Sequence, residues 1–215
     1  MIVPAILAES FDEFNKKLKL LEGHTDLIQV DVLDGSMFGV TNWFDAVKVG
    51  ALRTDVKMEL HLMVENPIPI IEQWKQHVPG LVRAIIHDEI SRPTGVITDY
   101  IKEILKLETG VAINPETPLS ALESVMHVID QLTIMGVHPG ASGQSFLGDS
   151  ILEKIKQARH HREDLIIEMD GGLTDDIIGP LISAGANRLC AASLLFKDSD
   201  PTGKLQELNK RLGGL

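Results

Sequence analysis

Short apolar runs alternate with longer amphipathic stretches along the whole chain. Residues 2–8 form the first run. Ser10 follows as an N-cap, and Phe11, Phe14, Leu18 and Leu21 recur at helical spacing until Gly23 ends the pattern. Strand-like runs recur at 27–32, 58–64, 82–87, 110–113, 131–137, 165–169 and 188–192. Helical patterns fill the gaps: 44–52, a segment opened by Asn66-Pro67, one through Ile101 and Leu105, 119–128, one capped by Asp149, one capped by Thr174 and closed at Gly185, and 201–212. Strict β–α alternation predicts a parallel sheet. Eight such units in 215 residues favour a closed (β/α)8 TIM barrel, a single domain over 1–215. The alternative, an open doubly wound sheet, is weakened because no G-x-G-x-x-G follows the first strand.

Charge narrows the partners. Lys and Arg number 20 against 31 Asp and Glu, a net charge of −11, which disfavours nucleic acid and anionic membrane. An anionic substrate would need a local positive site built from backbone amides or a metal. The single cysteine, Cys190, excludes an internal disulfide and fits a reducing, cytoplasmic setting. No apolar run reaches membrane-spanning length, and the first apolar run lacks the basic flank of a signal peptide, so it reads as a strand.

In such a barrel, chemistry sits at the C-terminal ends of the strands. Three pairs spaced two apart share a strand face there: Gln29 with Asp31, Glu59 with His61, and Glu168 with Asp170. An acid or imidazole pointing into a packed barrel is costly unless paired or bound to metal. Asp31, His61 and Asp170 could hold one divalent cation, with Gln29 as a weak neutral oxygen; His plus carboxylates suits Zn²⁺, Mn²⁺ or Fe²⁺. A metal-free alternative has His61 hydrogen-bonded between carboxylates. Gly140, Gly143, Gly171, Gly172 and the Ala192-Ser193 turn all follow strands six to eight, where barrels commonly bind phosphate through backbone amides. His138, in the same sector, reads as a solvent-facing loop residue.

Several blocks resemble the ribulose-phosphate 3-epimerase family: Pro4-Ala5-Ile6-Leu7, Asp31-Val32-Leu33-Asp34-Gly35, His61-Leu62-Met63-Val64, Asn114-Pro115-Glu116-Thr117-Pro118-Leu119, Pro139-Gly140 through Gly143-Gln144, Asp170-Gly171-Gly172 and Ser193-Leu194-Leu195-Phe196. They stand in the family's order over nearly the whole chain. The resemblance implies one divalent metal bound by two histidines and two aspartates, of which Asp31, His61 and Asp170 match three. It also implies that Asp31 and Asp170 exchange protons at C3 through a metal-stabilised enediolate, interconverting D-ribulose 5-phosphate and D-xylulose 5-phosphate or a related ketose phosphate. Met63 and Met135 match apolar residues over the reacting carbons. Gly143, Gly172, Ala192 and Ser193 fall where the family holds phosphate, and a homo-oligomer is implied.

The chain also departs from the family. Gln29 stands where the family has its first histidine ligand, Ala5 replaces a serine, and Ala192 replaces a glycine. His138 and Ser142 stand where it has Asn and Gly, and the loop after Gly35 diverges. Two other readings follow: a sugar-phosphate binder that has lost the chemistry, and a barrel aldolase such as hexulose-phosphate synthase. The second draws on a faint Asp-x-Lys likeness in Asp55-Val56-Lys57, which reads as readily as the charged start of a strand.

Overall fold

A computed structural model describes residues 1–140 and 143–213. Strands β1 (Ile2–Ile6), β2 (Leu27–Leu33), β3 (Lys57–Met63), β4 (Leu81–His87), β5 (Glu108–Ile113), β6 (Gln131–Met135), β7 (Ile166–Asp170) and β8 (Arg188–Ala191) pair in that order, all parallel. β8 then pairs with β1 and closes the barrel. Helices α1 (Phe11–Leu21), α2 (Ala46–Gly50), α3 (Ile68–His77), α4 (Thr94–Asp99), α5 (Asp149–His161), α6 (Ile178–Ala184), α7 (Ser193–Phe196) and α8 (Pro201–Gly213) surround it. Among the described residues, no helix is long and apolar enough to cross a membrane.

The strands are buried on both faces, which is why they read as near-continuous apolar runs. Outward side chains such as Ile28, Val30, Leu60 and Leu62 join the helices in the main core, with Trp74 and Ile71 of α3 and Phe14 and Leu18 of α1 fully buried. Ser10 caps α1 as expected, its side chain accepting from the Glu13 N–H.

Local details depart from the expected elements. The segment 119–128 is a 3-10 turn over Leu119–Leu122 followed by irregular turns. Its carbonyls are taken by a neighbour instead: Arg162 donates to Met126 O and Ile129 O, at 2.9 and 2.6 Å. Carbonyls at the end of such a segment have no donor within it, so Arg162 satisfies them from the next unit. Thr174 does not cap α6, whose N-cap is Ile177; its hydroxyl donates to Asp176 instead. Asp149 is the first residue of α5 and Gly148 its cap. The helix through Ile101 is α4 continued by a π-helical turn over Tyr100–Ile104.

Inside the barrel, the strand faces stack in layers. The lower layer is ionic. Arg83 of β4 bridges Glu59 of β3 and Glu108 of β5, and Arg188 of β8 reaches Glu59 at 3.2 Å and Gln131 at 2.9 Å. Glu168 accepts from Gln131 and Thr133 at 2.9 and 3.1 Å. Burial, reinforced by the Glu59 charge, pushes the Glu168 carboxyl well above the usual carboxylate value. Glu59 and Glu168 therefore belong to the floor of the barrel and not to the site above it.

Candidate active site

Period-2 geometry lifts the next inward residues one layer toward the C-terminal mouth. Asp31 lies in register with His61, and Met135 with Asp170. The end of β2 is pinned by Asn42, whose amide donates to Asp31 O at 2.8 Å and accepts from the Leu33 N–H at 2.7 Å. The backbone from Asp31 to Leu33 is thus held by a loop whose sequence looked merely divergent.

His61, with no exposed surface, joins the two acids. Its Nδ1 lies 3.0 Å from Asp170 Oδ2 and 3.3 Å from Asp31 Oδ1. Burial opposes its charge, but the bonds and charges of Asp170 and Asp31 prevail, and its pKa is raised to about 10. The acids themselves diverge. Burial pushes the Asp31 carboxyl up, with the Asp170 charge adding to it. Burial acts on Asp170 in the same direction, yet the His61 hydrogen bond and charge, helped by Gln29, hold it below the usual carboxylate value. Two carboxylates with opposed proton affinities are suited to acid and base roles.

Gln29 is buried under this group. Its Nε2 donates to Asp31 Oδ1 and Asp170 Oδ2, both at 2.8 Å, and lies 3.4 Å from His61 Nδ1. Its Oε1 accepts from the Cys190 thiol at 3.1 Å. Asp31, His61 and Asp170 each offer one ligand atom, all within 4.8 Å of one another, so three candidate metal ligands of two types converge. The amide nitrogen points at them, and an amide nitrogen does not ligate. Turning the amide over would bring its oxygen inward, and Cys190 could still bond, because a thiol both donates and accepts weakly. The donor set therefore fits a divalent ion, with a weak fourth position.

Asp31, His61, Met63, Met135, Gly140, Gly143, Asp170, Gly171, Gly172, Ala192 and Ser193 line one pocket at the mouth. Gln29 lies just beneath it. Gly171 and Gly172 have φ of 97° and 74°. A Cβ on Gly171 would meet Val137 Cγ2 at 2.4 Å, and one on Gly172 the Phe146 backbone N at 2.7 Å, so only glycine fits this turn. At Gly143 a Cβ would stand 3.2 Å from Lys197 Nζ, which brings a cation to this corner. Ser142 lies outside the described residues.

His138 is exposed, with Glu116 3.5 Å from its Nδ1, and does not line the pocket. Lys57 is exposed at the N-terminal start of β3, the end of the barrel away from the site, so the Asp-x-Lys reading loses its lysine. One buried residue escaped the sequence reading. His87, at the end of β4, places Nε2 2.9 Å from His61 Nε2 and Nδ1 3.1 Å from Glu89 Oε2. Burial pushes its pKa down and leaves it neutral. Burial would raise Glu89, but His87, Thr117 and the Asn114 N–H lower it to about 2. The signal was present in the sequence: His87 shares strand parity with Arg83, and an acid follows two residues later.

Carboxylates from two strands that meet over one imidazole, beside a glycine-built corner, place the chain among (β/α)8-barrel enzymes. Solved structures agree on the fold. 3-Hexulose-6-phosphate synthase from Salmonella typhimurium superposes with a TM-score of 0.73 at 12% identity, covering 99% of this chain and 98% of the other. Orotidine 5'-phosphate decarboxylase from Pyrococcus horikoshii superposes with a TM-score of 0.71 at 16% identity, covering all of both. The family follows from sequence: the model of the ribulose-phosphate 3 epimerase family matches residues 1–196, and the chain belongs to that family of isomerases. Ribulose-phosphate 3-epimerase of Bacillus subtilis is 32% identical, over 96% of this chain and 97% of its own length. The chloroplastic ribulose-5-phosphate-3-epimerase of Arabidopsis thaliana is 35% identical, over 93% of this chain and 73% of its own length.

Proposed function

We propose that the protein is a ribulose-phosphate 3-epimerase, interconverting D-ribulose 5-phosphate and D-xylulose 5-phosphate by proton transfer between two aspartates. The observation that carries this reading is that Asp31 and Asp170 converge on one nitrogen of His61, at 3.3 and 3.0 Å, at the mouth of the pocket. Asp170, held ionised, takes the proton from C3, and the C–H electrons move into an enediolate. Asp31, whose proton affinity burial raises, returns a proton to C3 on the other face, and the roles reverse in the opposite direction. Met63 and Met135 cover the reacting carbons and keep water from them. The amides at Gly143, Gly172 and Ser193 hold the phosphate, and Lys197 adds positive charge that an acidic chain otherwise lacks there.

Asp31, His61 and Asp170, with the Gln29 amide turned over, would hold one Zn²⁺, Mn²⁺ or Fe²⁺. Such an ion would supply positive charge against the negative charge that develops on the substrate's oxygens. A second reading, a sugar-phosphate binder without turnover, draws on the Gln29 amide nitrogen, which already sits among the three ligands.

The test is deuterium exchange at C3 of D-ribulose 5-phosphate in heavy water, followed by NMR, with chelated protein and after adding each ion. Deuterium at C3 together with xylulose 5-phosphate is the expected result. Binding of the sugar phosphate without exchange under any ion would overturn the epimerase and leave the binder.

A further inference from the structure

His61 can serve the acids only if its ring presents Nδ1 to them in a defined protonation pattern. Solvent cannot set that pattern, because the ring is fully buried. The facing nitrogens of His61 and His87 are 2.9 Å apart and share one proton between them, so one ring donates and the other accepts. The rings are tilted by only 16°, which keeps this bond close to both ring planes.

The far side of His87 decides the direction. Its Nδ1 faces the Glu89 carboxylate at 3.1 Å. An ionised carboxylate only accepts, so His87 must carry its proton on Nδ1, and its Nε2 is bare. His61 must then donate from Nε2, which leaves Nδ1 committed to Asp31 and Asp170. Glu89 is itself fixed by the Asn114 N–H at 2.7 Å and by the Thr117 hydroxyl, both just beyond β5. Phe38 lies edge-on to His87, its ring centroid 5.5 Å away, and covers the pair from the mouth.

We propose that Glu89 and His87 form a positioning pair that locks His61 as an Nε2–H donor and so aims its Nδ1 at Asp31 and Asp170. The pair touches neither the pocket's reacting atoms nor the phosphate corner. The inference deepens the reading above, in that it assigns an outer support to the same site. Groups that orient a ligating histidine typically shift metal affinity by about 10–100-fold.

Histidine tautomers can be read from long-range ¹H–¹⁵N spectra of metal-free, ¹⁵N-labelled protein, with no dependence on turnover. The wild type should show His87 as the Nδ1–H tautomer and His61 protonated on Nε2. Glu89→Leu should move the His87 proton off Nδ1 and weaken Zn²⁺ binding, measured by calorimetry, by about 10–100-fold. Glu89→Gln keeps an acceptor oxygen and should restore both. A wild-type His87 protonated on Nε2 would overturn the proposal, and so would a Glu89→Leu variant with His87 and Zn²⁺ affinity unchanged. The wild-type spectrum decides even if Glu89→Leu fails to fold. Expected tautomers without C3 exchange would sink the epimerase and leave the positioning pair standing.

Discussion

Gln29→His should tighten divalent-metal binding. The amide nitrogen of Gln29 now makes two charge-assisted bonds of 2.8 Å to Asp31 and Asp170. To offer its oxygen to an ion the amide must turn over and give up both, at about 1.5–3 kcal/mol each before the ion compensates the acids. An imidazole at the same place carries no such penalty and is the better ligand for Zn²⁺. It is close to glutamine in size and loses only the weak Cys190 contact at 3.1 Å. Changes of this kind around a metal move affinity by about 10–100-fold, or about 1.4–2.7 kcal/mol. The assay is calorimetric titration of chelated protein with Zn²⁺ and Mn²⁺, wild type against Gln29→His, with matched melting curves as a folding control. Equal or weaker binding by a well-folded Gln29→His would refute the reasoning, because it would mean that Gln29 is not what limits the site.

Other expectations follow from the same geometry. Asp31→Asn and Asp170→Asn should each lower kcat by about 10²–10⁴, while equilibrium dialysis still detects bound sugar phosphate. Gly172→Ala forces a Cβ to within 2.8 Å of Phe146 backbone atoms at a positive φ. That strain costs about 1–3 kcal/mol, lowering Tm by about 2–4 °C per kcal/mol, and KM for the phosphorylated substrate should rise with it. Glu89 is depressed from 4.5 to about 2, so its contribution to stability is complete above pH 4.5 and is lost as pH falls through 2. Glu89→Gln removes that contribution, so its Tm should vary less with pH over this window in calorimetric scans.

The barrel was legible because each strand is buried on both faces and each helix on one, so the two periods alternate cleanly. Asp31, His61 and Asp170 were legible for a related reason: each is a polar residue in the C-terminal part of an apolar run. Depth along a strand was harder to read. Parity puts Glu59 with His61 and Glu168 with Asp170, yet a two-residue step is about 6–7 Å of rise, and the lower members bind Arg83, Gln131 and Thr133 instead of substrate. His87 was hidden because a lone histidine ending an apolar strand resembles a core residue until its partner on the next strand is known. The Arg162 bonds that tie down the end of segment 119–128 were invisible, since their reach to Met126 and Ile129 spans more than 30 residues. The role of Asn42 depended on a loop folding back onto β2, which no local pattern announces.

The provenance of the site residues divides the chain in a useful way. Gln29, Asp31, His61 and His87 all come from β2 to β4, whereas Asp170 and the Ala192-Ser193 corner come from β7 onward. Glu89, just after β4, is anchored by Asn114, just after β5. A chain severed between these two strands would leave one aspartate on each fragment and the anchor of Glu89 on the wrong one. Neither half-barrel alone could carry out a two-acid exchange, so recovered turnover on mixing two such fragments would report that the halves had reassembled in correct register.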